Sequence, residues 1–198
     1  MKSRIIASVT PQAKMLNTNN RLGNPSIAKQ QGTTRILYDS LPLDGSGEYR
    51  FFEEAQTRRF PFTNKSQSGN TLGVGETIAV ERAYLSVFAV DPETAVITEV
   101  TTLAGSLIPA LTLGELSLDI ANQQVAKQMS LQSFDPRFNK SSASDINQNF
   151  EFDTNLIIPP LIEFVFRARM PVHGALANHF IRLTIEGAGA ILAPRQTL

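Results

Sequence analysis

From Ile162 to Met170 the chain has a period of two over nine residues: Ile162, Phe164, Phe166, Ala168 and Met170 are interleaved with Glu163, Val165, Arg167 and Arg169. A period of two sends one set of side chains to a core and the other to solvent, which a strand can do and a helix cannot. The same alternation returns in Ile181, Leu183 and Ile185 against Arg182, Thr184 and Glu186, and in Leu116, Leu118 and Ile120 against Glu115, Ser117 and Asp119. Residues 77–90 are longer and become apolar on both faces toward their end, which predicts a strand crossing the core.

Weaker strand signals fall at residues 34–38, 49–52, 59–62, 95–103, 107–113 and 150–155. Residues 123–134 fit either period; we read them as a strand, with Val125, Lys127, Met129 and Leu131 returning from Ile120 around Asn122-Gln123. Asp44-Gly45-Ser46-Gly47, Ser68-Gly69-Asn70, Asp91-Pro92-Glu93, Asp135-Pro136-Arg137 and Pro159-Pro160 punctuate the segments as turns or strand breaks. Residues 139–149 form a polar loop long enough to be functional or mobile. Strands without intervening helices predict an all-β, antiparallel, eight-stranded β-sandwich, and the long connections favour a jelly roll over an immunoglobulin-like domain. With 198 residues and 42% hydrophobic content the core can be sizeable.

Most catalytic chemistry lacks its residues. There is no cysteine, so disulfides, Cys-ligated metals and thiol catalysis are excluded. His173 and His179 stand six apart in an expected loop with no carboxylate between them, unlike a cupin or zincin site. Gly73-Val74-Gly75 precedes a strand and lacks the Lys-Ser/Thr of a phosphate loop. The carboxylates Glu53-Glu54, Glu115/Asp119 and Glu151/Asp153 read as solvated faces more readily than as a glycosidase pair. No Gly-x-Ser-x-Gly elbow occurs, and the sequons at Asn64 and Asn139 read as accidental. We therefore expect no enzyme, no cofactor, no metal site and no small-molecule substrate. No apolar run approaches a membrane span, and residues 5–9 are too short for a signal-peptide core, so the expectation is a soluble protein beginning near Met1.

Charge divides the chain. Lys2, Arg4, Lys14, Arg21, Lys29 and Arg35 are the charged residues of the first 38, with no Asp or Glu, while the other 160 residues hold 12 basic and 18 acidic side chains. Residues 1–32 are polar, aperiodic and broken by Gly23-Asn24-Pro25, which predicts an extended basic arm ahead of a sandwich domain at 33–198. Such an arm is either a solvated terminus or an assembly element that meets nucleic acid, lipid phosphate or a neighbouring subunit. A second dense segment joins Tyr49-Arg50-Phe51-Phe52 to Arg58-Arg59-Phe60-Pro61-Phe62. It is either a buried edge or an interface anchor, with Tyr49, Phe51, Arg58, Arg59 and Phe60 as the contact residues. Twelve Phe, three Tyr and no Trp suit packing and subunit contacts better than a sugar-stacking platform.

The order of a basic arm, a Phe-rich segment, a long strand opened by Leu72-Gly73-Val74-Gly75-Glu76-Thr77-Ile78, and a last strand Phe180-Ile181-Arg182-Leu183-Thr184-Ile185-Glu186-Gly187-Ala188-Gly189 resembles the single jelly-roll capsid proteins of icosahedral bacteriophages, the upright type that includes membrane-containing phages. The likeness is one of pattern and size over residues 34–192, without a diagnostic motif. It implies a coat subunit that self-assembles with copies of itself and other virion proteins, built in the host cytoplasm and located in the virion, with a genome or inner-membrane contact through the arm. A non-catalytic binding or adhesion module, of fibre or carbohydrate-binding type, is the alternative.

Overall fold

Each alternating segment contains a strand, although the first keeps only Phe164–Arg169 of residues 162–170. The computed structural model describes residues 30–100, 105, 107–134 and 150–192. Among them are nine strands: β1 (Gln30–Pro42), β2 (Glu48–Phe51), β3 (Thr77–Val90), β4 (Ile97–Glu99), β5 (Glu115–Ile120), β6 (Gln123–Ser130), β7 (Phe150–Ile158), β8 (Phe164–Arg169) and β9 (His179–Leu192). One α-helix, α1 (Leu107–Leu113), joins them.

The strands make two antiparallel sheets, as the all-β sandwich requires. The first runs β1-β9-β3, and β7 and β4 share the far side of β3, against residues 78–83 and 88–90 respectively. The second runs β2-β8-β5-β6. β1 pairs β9 over 13 residues with no break. The β3–β9 ladder is interrupted once, where Glu81 bulges between Val80 and Arg82 opposite Gly187 and Glu186. A Cβ at Gly187 would run into the Ala79 carbonyl oxygen, so glycine is what lets the bulged backbone approach.

Leu37, Ile78, Val80, Leu85, Val87, Ile181, Leu183 and Ile185 enter the core from the first sheet, and Tyr49, Phe51, Leu116, Leu118, Phe164, Phe166 and Ala168 from the second. Each fully buried Phe or Leu contributes about 1.5–3 kcal/mol relative to leaving it in water. The loops at one end are tied by Leu43 N–H to His179 O at 2.9 Å and Val90 N–H to Asn178 O at 2.9 Å. At the other end Leu161 N–H donates to Leu72 O at 3.0 Å and Phe164 N–H to Asn70 O at 2.9 Å.

Several sequence expectations change. Residues 107–113, read as a strand, form α1, because Leu107, Ala110 and Leu111 lie on one helical face and are buried. Residues 59–62 lie outside any strand, and 60–62 form a turn; of the signal at 95–103, residues 95–100 keep the three residues of β4 and residues 101–103 lie outside the described residues. Residues 123–130 are the strand expected, ending in a 3-10 turn at Leu131–Phe134. β1 opens at Gln30, three residues inside the segment read as arm. The described strands number nine where eight were expected, with the three-residue β4 among them. The loop at 139–149 lies outside the described residues.

Candidate functional site

The candidate interface segment is split by the fold. β2 turns Tyr49 and Phe51 inward and Arg50 outward. Phe51 is fully buried, and Phe52 follows it inside at a φ of 72°, its ring 5.2 Å from that of Phe164 and 6.2 Å from that of Phe166. The unusual backbone of Phe52 is held by its N–H, which donates to Asp39 Oδ2 at 2.6 Å. Asp39 has no solvent exposure and also takes the guanidinium of Arg58, Nε to Oδ1 at 3.0 Å and Nη2 to Oδ2 at 2.6 Å. A buried carboxylate with a two-point arginine and a backbone donor is fully satisfied, so the pair fixes the connection after β2 onto β1. Phe51, Tyr49 and Arg58 thus hold the chain's own fold together. Arg59 and Phe60 remain outside, Phe60 with 82% of its surface exposed.

The same connection roofs part of the first sheet's outer face. Pro61 O accepts from Arg182 Nη2 at 2.7 Å, and the Phe62 ring lies 4.9 Å from Phe180 and 6.2 Å from Phe88. Arg182 sits over Tyr38 at 4.6 Å and over Phe88 at 4.8 Å and donates to Ser40 Oγ at 3.0 Å. Arg182 and Thr184 do face outward as their alternation requires, yet Thr184 is buried. Thr63 and Asn64 then close on the edge of β1. Thr63 bridges Asp39, and the Asn64 side chain accepts from Tyr38 N–H at 2.9 Å and donates to Ile36 O at 2.7 Å. The sequon asparagine is therefore spent on the fold.

Tyr49 reaches across to the β8–β9 loop. Its hydroxyl is 2.9 Å from His173 Nε2, while His173 Nδ1 is 2.9 Å from Gly174 O. Because a carbonyl only accepts, Nδ1 carries the proton and Nε2 accepts from the tyrosine. Burial, before any other cause, pushes the Tyr49 hydroxyl up to about 12. The Ser46 N–H bonded to Asp44 is the main cause holding that neighbouring carboxyl below its usual range. His173, read as an ordinary loop histidine, is in fact buried as a pin between two loops.

A second buried polar group was not foreseen. Lys65 is 4% exposed, and its Nζ donates to Ser68 Oγ and to Thr71 O, the latter at 2.6 Å. Burial, helped by the charge of Arg35 and opposed by that of Glu76, pulls it down to about 8. Glu76 is ion-paired to Arg35 at 2.8 Å and accepts from Gly73 N–H at 3.0 Å. Burial alone would raise the Glu76 carboxyl, but these bonds and the two positive charges hold it below the usual range.

On the outer face of the second sheet lies an open groove of about 580 Å³, lined by Arg50, Glu53, Asp119, Glu163, Arg167 and Arg169 among others. Arg50 pairs Glu53 at 2.8 Å, and Arg167 pairs Asp119 at 3.2 Å and Glu48 at 3.4 Å. Glu151 pairs Arg82 at 3.2 Å. Glu53, Asp119 and Glu151, each one member of a carboxylate couple noted in the sequence, are thus matched to arginines. Among the described residues no three His, Asp or Glu side chains are grouped to hold a metal, and no helix is long and apolar enough to cross a membrane. Lys2, Arg4, Lys14, Arg21 and Lys29 lie outside the described residues.

No protein-family model matches the chain, and no curated protein matches it.

Proposed function

We propose that the chain is a structural virion protein: a jelly-roll coat subunit that self-assembles into an icosahedral, phage-like shell. One observation carries this reading. The strand pairs nest, β1 with β9, β2 with β8, β3 with β7, and β5 with β6. Among the described strands, first pairs with last, second with second-last and so on inward, and this nesting supports reading the sandwich as a jelly roll, with β4 added to the paired strands.

The charge division supports the assembly reading. A basic segment ahead of an acidic body lets one subunit's arm lie on the next, or on genome or inner-membrane phosphate. Arg59 and Phe60, exposed on an anchored connection, are side chains of the kind enriched in subunit contacts. Weak contacts repeated around a closed shell reinforce one another, so each needs only modest strength.

Electron microscopy of the purified full-length protein tests the proposal: shells or regular capsomers are expected, and discrete monomers or trimers at every concentration would sink it. Arm contacts are screened over about 8 Å at physiological ionic strength, so the assemblies should loosen in high salt. Deletion should stop at residue 29, because Gln30 already belongs to β1. The polar groove on the second sheet favours the second reading, a binding or adhesion module of fibre or carbohydrate-binding type, which discrete monomers or trimers would support.

A further inference from the structure

Sheet edges are where one chain can continue another's hydrogen bonding, and most of those here are short or irregular. β2 has four residues and β4 three. The pairing of β6 shifts register twice, and that of β7 shifts at the β3 bulge. β1 is different: 13 residues, unbroken in register against β9. Its far side is guarded only in part. Asn64 takes Ile36 O and Tyr38 N–H with its side chain and donates its own N–H to Tyr38 O at 3.3 Å. These bonds show that residues 36 and 38 turn their backbone groups away from β9. By the alternation of a strand, Gln30, Gly32 and Thr34 do the same. Among the described residues, none pairs with that stretch; Thr34 O takes only the Thr33 hydroxyl at 3.2 Å. Gly32, Thr34 and Ile36 are exposed.

We propose that residues 30–36 of β1 are a self-pairing edge, on which β1 of a second copy lies antiparallel with the two-fold axis at Thr33. Three constraints select this occupant and this register. Outward-facing residues must oppose outward-facing ones, which leaves only registers two residues apart. Asn64 blocks the edge from Ile36 O onward, and of the remaining registers the one that sets Gln30 opposite Ile36 overlaps the most of the stretch, all of residues 30–36. Gly32 then meets Thr34, and Thr33 meets Thr33 of the second copy, a favourable cross-strand pair. The charges also permit it: Arg35 is the only charged residue in the stretch, is already paired to Glu76, and falls opposite Gln31 of the second copy rather than another arginine. Seven residues a side is far below the roughly 20–30 of a stable interface, so the pair should be concentration-dependent alone and matter where other contacts add to it. It names one surface of the assembly proposed above and rests on that reading for its partner, but pairing is measured without reference to particles. Shells without this pairing would overturn the edge contact and leave the coat reading standing.

The chain has no cysteine, so a single introduced thiol reports cleanly. Facing residues at a non-hydrogen-bonded position lie about 4.5 Å apart at Cα, within disulfide range. Full-length Thr33→Cys should cross-link to a dimer under mild oxidation at least about tenfold faster than Ser46→Cys, an exposed collision control at the opposite end of the sandwich. Adding Thr34→Pro, which removes an outward N–H that an edge strand can lose, should return cross-linking to the control rate with an unchanged circular dichroism spectrum. Amide exchange at Gly32, Thr34 and Ile36 of the unmodified protein should slow as concentration rises. Equal rates for the two cysteine variants, or indifference to Thr34→Pro, would overturn the proposal. Protection at every concentration would also overturn it, since the chain's own residues 1–29 would then cover the edge.

Discussion

The two sheets share one core but turn unlike faces outward. On the second sheet the outer face is ionic: Arg167 stands between Asp119 and Glu48, Arg50 pairs Glu53, and the groove between them is open to water. On the first, the outer face near β1 is a small second interior, where Arg182 lies between Tyr38 and Phe88 and the loop carrying Pro61 and Phe62 closes over it. Arg167 and Arg182 occupy equivalent places in their alternations, each the polar member of an apolar-polar strand. What separates them is a loop that begins at the other sheet and is held by a buried carboxylate.

The largest effect should come from the core the sheets share. Phe166→Ala should cost about 3–5 kcal/mol in urea unfolding, and Leu183→Ala, entering from the other sheet, about 2–5 kcal/mol. A tenfold disparity between them would mean that one sheet is not packed as described. Next is the anchor of the roof. Asp39→Ala leaves the Arg58 charge and the Phe52 N–H without their acceptor and should cost about 3–5 kcal/mol. Removing Arg58 as well should recover part of that, and a cost under about 1 kcal/mol would show that the roof does not depend on the pair.

Lys65 gives a pH signature. Its folded pKa of about 8 lies below the ordinary 10.5, so between these values the unfolded chain binds more protons and stability rises with pH. The slope is at most about 1.4 kcal/mol per pH unit. Tyr49 acts oppositely above pH 10, where the unfolded phenol ionises and the folded one, at about 12, does not. Stability should therefore climb from pH 8 to 10 and then level or fall. Lys65→Met should abolish the climb, and a climb that survives it would assign the effect elsewhere.

The smallest expected difference is the most direct comparison of the faces. Arg182→Ala should cost about 1–2 kcal/mol, because its cation–π contacts and two hydrogen bonds are partly desolvated. This exceeds the cost of less than about 1 kcal/mol that its polar place in the strand suggests. Arg167→Ala should cost less than about 1 kcal/mol, falling further in 1 M salt. Equal costs with equal salt sensitivity would erase the distinction between roofed and open faces.

What was legible in the sequence is what a local period encodes. The inward placing of Phe164, Phe166, Leu183 and Ile185 follows from alternation alone, and all four are buried. Residues 107–113 failed the same test because Leu107, Leu111 and Leu113 fit a period of two while Leu107, Ala110 and Leu111 fit one of 3.6; Pro109, near the helix start where its missing N–H matters least, does not decide. Gly114 ends the helix where a Cβ would meet Ala110 O at 2.8 Å and Arg169 O at 3.0 Å. The Asp39–Arg58 anchor and the Lys65–Glu76–Arg35 group join residues too far apart in the chain for any short pattern to announce them. The segment from Tyr49 to Phe62 looked uniform because composition does not say which of two neighbouring aromatics, Phe51 or Phe60, turns inward.

β9 is the strand that β1 and β3 both need, and it is made last of the three. A ribosome adding about 5–20 residues per second takes on the order of ten seconds to go from Val90 to the end of β9. For that interval two of the three longest described strands, β1 and β3, have been synthesised without the neighbour they share, and their apolar faces and unpaired backbones are open to any other nascent chain nearby. Contacts of such long sequence separation also fold slowly once the chain is complete. The first sheet therefore ties the success of folding to the conditions of synthesis: slower elongation near residue 179, or a crowded polysome, should raise the aggregated fraction even though the finished protein's stability is unaltered.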